Sequence, residues 1–66
     1  MKNNLKELRL EKELNQFQLA ELVNVSRQTI ISIETNKYIP SVLLSLKLAT
    51  ILNKKVEQIF QLEITD

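Results

Sequence analysis

A chain of 66 residues with nine Lys and Arg against eight Asp and Glu (net charge +1), and with no Cys, no His and no Gly, leaves room for one small domain only. A domain this short is marginal without a staple, and lacking thiols and imidazoles it has neither disulfides nor the usual zinc ligands to serve as one. The same absences argue against an enzyme, so no metal or cofactor is expected, and the near-neutral charge makes any nucleic-acid binding a matter of where the cations sit.

Met1 to Asn4 is polar and no long apolar run follows it. No secretory signal, membrane span or membrane partner is expected, and a cytoplasmic location fits the lack of cysteine. With a single proline, Pro40, the chain reads as mostly helical. Asn4 is placed to cap a first helix over about residues 4–13, with Leu5 and Leu8 on its inner face and Leu10 off it.

Asn15 opens a second helix. Its side chain can cap while Gln18, three residues on, reaches back, and Leu14 can staple to Leu19. Leu19, Ala20, Leu22 and Val23 form the expected inward face. Asn24 then stands where a sharp helix–helix turn needs a left-handed backbone, which asparagine tolerates best after glycine. Ser26 caps a third helix over Arg27 to Thr35, with Val25 stapling to Ile30. Ile30 and Ile33 point inward, and Gln28, Ile31, Ser32 and Thr35 share the opposite face.

Residues 35–40 have loop character, and Pro40 disfavours helix at Ile39. Ser41 caps a fourth helix that runs to Leu52 and closes at Asn53. It is apolar almost all round, so enclosure from several sides is expected, part of it by another subunit. Val56 to Phe60 suggests one more helical turn. Phe60, Leu62 and Ile64 then alternate with polar residues, which predicts a short strand over about 61–65. Its mate is either Met1 to Asn3 or a partner subunit.

Two capped helices across a narrow turn form the arrangement that sets a helix into the major groove of DNA. Any helical bundle could show the apolar pattern by itself; the joint occurrence of both caps, the turn at Asn24, the small Ala20 and a polar outer face favours the groove reader. Arg27 and Gln28 stand in the first turn of the third helix, where Arg can bind guanine O6 and N7 and Gln adenine N6 and N7. Ile31, on an outward face, suits a thymine methyl group, and Ser32 either reads a base edge or leaves room. Gln16, at the positive end of the second helix, is placed for a phosphate or for bracing Gln28; Thr29, Asn36 and Lys37 are the other backbone candidates.

Gln16, Leu19-Ala20, Val25-Ser26, Gln28-Thr29-Ile30, Ile33-Glu34, Asn36-Lys37 and Pro40-Ser41 closely resemble the Cro/cI (Xre) helix-turn-helix family over about residues 4–60, most of all its compact cytolysin-repressor type. The resemblance implies an all-α, five-helix bundle with a short terminal β-ribbon, the helix-turn-helix spanning about 15–35. It further implies a homodimer on double-stranded DNA, with Gln16, Arg27, Gln28, Ile31 and Ser32 facing the duplex and Asn36 and Lys37 on its backbone. It pairs Arg9 with Glu34 and sets Ile39 and Val56 near the dimer interface, with Ile59 and Phe60 as neighbours. A repressor reading a near-palindromic operator, with no small-molecule ligand, is the expected function; an antitoxin or a protein-interaction module is the alternative.

Overall fold

Side-chain caps decide where most of the helices begin. In the computed structural model, which describes residues 1–66, the order is β1 (Lys2–Asn3), α1 (Leu5–Glu11), α2 (Gln16–Leu22), α3 (Arg27–Glu34), α4 (Val42–Leu52), α5 (Val56–Ile59) and β2 (Phe60–Gln61). Asn15, Ser26 and Ser41 each accept a hydrogen bond from a backbone N–H three residues on, as their spacing predicts. With no glycine available, the left-handed positions fall to Glu13, Asn24, Asn36 and Asn53, three of them the residue type that tolerates that backbone best after glycine.

Leu5, Leu19, Ala20, Val23, Ile30, Ile33, Leu44, Leu48, Leu52, Ile59 and Phe60 form a single core to which every helix contributes. The two strands pair antiparallel, Lys2 with Gln61 and Asn3 with Phe60, so the C-terminal strand takes the chain's own N-terminus as its mate. This is the expected five-helix bundle with a small ribbon.

Four local expectations are corrected. Asn4 holds the N-cap position of α1, but its side chain makes no cap bond: the Asn3 side chain accepts from the Leu5 N–H, while the Asn4 amide donates to the Gln58 carbonyl and ties α1 to α5. α1 stops at Glu11, because Glu13 turns left-handed and the Leu14 N–H returns to the Arg9 carbonyl. Leu22 is 54% exposed rather than inward. Within this one chain α4 turns Leu44, Leu48 and Leu52 into the core and leaves Val42, Leu43 and Leu46 on its outer side, the part of the helix expected to meet another subunit. The last strand ends at Gln61, as its mate is only two residues long; the chain then folds back so that Asp66 accepts from the Glu63 N–H and from the Met1 ammonium at 3.0 Å. That bond to Asp66 raises the ammonium pKa above its usual value.

Candidate nucleic-acid interface

The α2–turn–α3 unit is fixed locally before any distant contact acts on it. Gln18 N–H donates to Asn15 Oδ1 at 2.7 Å and Asn15 N–H to Gln18 Oε1 at 2.8 Å, a complete capping box. At the turn, Asn24 takes φ 58° and the Val25 N–H returns to the Ala20 carbonyl at 3.0 Å. Ser26 Oγ accepts from the Thr29 N–H at 3.2 Å and lies 2.9 Å from Thr29 Oγ1. Ala20, 2% exposed, lets the helices approach, and Leu19, Ile30 and Ile33 lock them from beneath.

What α3 turns outward follows from that lock. Arg27 and Gln28 are exposed at its start; Ile31 and Ser32, one turn on, are half-buried beside them. Gln28 Nε2 lies 3.5 Å from Ser32 Oγ, at the limit of a hydrogen bond, so its amide is lightly held and free to turn to a base edge. The Arg27 guanidinium has no carboxylate partner, since the ion pairs of the chain are Arg9–Glu34 and those of the Met1 ammonium with Glu63 and Asp66. A forked donor and an amide thus both stand exposed in the first turn of α3, the one unpaired and the other lightly held.

Beneath them, Glu34 closes a polar network. Its carboxylate accepts from Arg9 Nε at 2.7 Å, Arg9 Nη2 at 3.3 Å and Gln16 Nε2 at 3.1 Å, while Arg9 Nη1 donates to the Leu14 carbonyl at 2.8 Å. The Arg9 and Glu34 side chains are 7% and 5% exposed, and no buried polar side-chain atom of the chain lacks a partner. The network joins α1, the segment before α2, the start of α2 and the end of α3. It also neutralises the one carboxylate of α3, so the exposed charges on α3 and in the turn that follows it are the cations Arg27 and Lys37. Gln16 thus braces Glu34 rather than Gln28, and its amide retains a second N–H for an outside acceptor.

The backbone candidates bracket α3. Thr29 is half-buried against Ser26 at one end. At the other end, Asn36 is exposed at φ 61°, with its Oδ1 accepting from Asn3 Nδ2 at 2.9 Å, and Lys37 is exposed with its N–H on the Ser32 carbonyl at 2.8 Å. An open cleft runs from Ser26, Gln28, Thr29 and Ser32 across to Tyr38 and Ser41, backed by α4. Tyr38 and Ser41 escaped selection as contact residues: one reads as loop and the other as a cap, and only the fold brings them beside α3.

The residues expected at a subunit interface separate into two kinds. Ile39 is 69% exposed and Val56 is half-buried, so both offer surface. Ile59 is wholly buried and Phe60 is 9% exposed within this one chain, so both belong to its core. Val42, 77% exposed two residues after Pro40 at the start of α4, is apolar surface that helical periodicity alone did not single out. No three His, Cys, Asp or Glu side chains converge on a common point, and no helix is long and apolar enough to cross a membrane.

A helix-turn-helix family model matches residues 5–59. The chain is 46% identical over 63 residues to the uncharacterized HTH-type transcriptional regulator YgzD of Bacillus subtilis, covering 96% of both chains. It is 50% identical over 60 residues to the uncharacterized HTH-type transcriptional regulator MJ0272 of Methanocaldococcus jannaschii, covering 91% of both. Among solved structures it is similar to the restriction-modification controller protein C.AhdI of Aeromonas hydrophila, with a TM-score of 0.77, 36% identity and 85% of each chain covered. It is also similar to the clp gene regulator ClgR of Corynebacterium glutamicum, with a TM-score of 0.74, 25% identity, and 79% of this chain and 55% of that one covered.

Proposed function

The chain belongs to the Cro/cI-type helix-turn-helix family of DNA-binding transcriptional regulators, and from that premise we propose that it is a repressor that binds a near-palindromic operator as a homodimer. α3 enters the major groove by its N-terminal half. Arg27 takes a guanine edge and Gln28 an adenine edge; Ile31 meets a thymine methyl, and Ser32 leaves the groove floor accessible. Gln16, Thr29, Asn36 and Lys37 hold the phosphates on either side and set the register. Tyr38 and Ser41, across the cleft, join them. Two such helices, related by a two-fold axis, enter successive major grooves about 34 Å apart.

The observation that carries this reading is that Arg27 is unpaired and Gln28 lightly held, both exposed on a helix whose start is capped and whose inner face is locked. The homodimer is supported by Ile39, Val42 and the partly covered Val56, apolar surface that a small domain gains by burying. Selection from a random DNA pool, followed by a mass measurement of the complex, tests the whole reading. The expected result is an inverted repeat with two chains bound. A single half-site with one chain bound would remove the dimer, and a pool that enriches nothing would remove the operator.

A further inference from the structure

Phe17 is an aromatic side chain that the fold does not use. It stands at the second position of α2 and is 57% exposed, while the inner face of that helix is supplied by Leu19 and Ala20. It lines an open recess together with Arg9, Asn15, Gln16 and Arg27. Three of these neighbours are already committed: Arg9 to Glu34 and the Leu14 carbonyl, Gln16 to Glu34, and Asn15 to its capping box. Both oxygens of the Glu34 carboxylate are engaged.

Arg27 therefore reaches this recess with no anion to pair with. The other guanidinium lining the recess, that of Arg9, is turned to Glu34, and a cation at the start of α3 is disfavoured by the helix dipole. What the recess offers instead is the Phe17 ring, and a guanidinium is attracted to an aromatic face while its N–H edge stays free. An edge left free in that way is what a bidentate contact to guanine O6 and N7 requires.

We propose that Phe17 is a positioning residue for specificity: its ring backs the Arg27 guanidinium and holds it in the orientation that selects guanine. This rests on the DNA-reading function given above and adds to it a residue that touches the reader rather than the base. An unbacked Arg27 would sample many rotamers and accept other bases or a phosphate. Only discrimination at the one base pair that Arg27 reads depends on the ring, and the pair read by Gln28 does not.

The test uses the full chain and the site it enriches from a random DNA pool. Discrimination of guanine against adenine is measured at the position whose preference is lost in Arg27→Ala. Phe17→Leu is expected to lower it about two- to five-fold, the range an exposed cation–π contact commands, and to leave the Gln28 position unchanged. Phe17→Tyr keeps the ring and is expected to retain discrimination. In an Arg27→Ala background, Phe17→Leu is expected to change nothing further. The proposal is overturned if Phe17→Leu discriminates as the wild type does, if the loss is equal at all positions, or if Phe17→Leu still acts without Arg27, since the ring would then touch DNA itself. A wild-type chain that enriches no site sinks the operator and the Phe17 role together; an enriched site indifferent to Phe17 sinks the second alone.

Discussion

At the α2–α3 end of the molecule, the charged and polar groups withdrawn from solvent are partnered: Arg9, Glu34, Gln16 and the Leu14 carbonyl satisfy one another within the single chain. By contrast, from the loop after α3 to the outer side of α4, Ile39, Val42, Leu43 and Leu46 are exposed, Leu43 and Leu46 alongside the α2–α3 turn. The buried polar network is finished by folding, and the apolar outer side of α4 is left open. A rigid polar reader needs its supports complete before it meets DNA, whereas an apolar face in a 66-residue domain is stabilising only once something covers it.

The largest blow to this contrast comes at the finished network. Glu34→Ala leaves the Arg9 guanidinium buried without its counter-charge, and the loss of one partner of such a pair costs about 3–5 kcal/mol. In a domain of this size the expected outcome by urea melting is a largely unfolded chain. A loss below 1 kcal/mol would mean that the network is decoration. On the apolar surface, Ile39→Asp or Val56→Asp is expected to leave the helical circular dichroism intact and to cost about 2 kcal/mol or more in self-association. Sedimentation checks this, and intact dimers would place the interface elsewhere.

Two smaller effects sharpen the division of labour along α3. Gln28→Ala is expected to weaken the specific site by roughly 1–3 kcal/mol and to relax preference at one base pair, with little change in stability. Competition binding checks it, and uniform weakening on every sequence would contradict base reading. Lys37→Ala is expected to lower the slope of log K against log salt by about one per chain while leaving the preferred sequence alone. An unaltered slope strikes Lys37 from the phosphate contacts.

Legibility in the amino-acid sequence follows the range of the interaction. The capping box of Asn15 and Gln18, the caps at Ser26 and Ser41, and the left-handed turns at Asn24 and Asn53 depend on residues within a few positions of one another, and all were readable. So was the exposure of Arg27 and Gln28, which follows from the start of α3 and its period. That the Asn3 side chain, and not that of Asn4, would take an N–H at the start of α1 was not readable, because the Asn4 amide is drawn away by Gln58, 54 residues distant. Leu22 looked inward by periodicity, but α2 ends there and no element covers its outer flank. The bond of Gln16 to Glu34 crosses 18 residues and depends on how two helices dock. The link between Arg9 and Glu34 was visible only through family resemblance, and the burial of Ile59 only once α5 had found its place in the core.

The tie of Arg9 to the end of α3 and to the segment before α2 has one more consequence. A head moored on both sides has surrendered its swivelling freedom long before a duplex arrives, so the encounter has little disorder left to extinguish. Loosening that mooring would be felt as a colder, more entropically taxed association even where every contact to the bases survived.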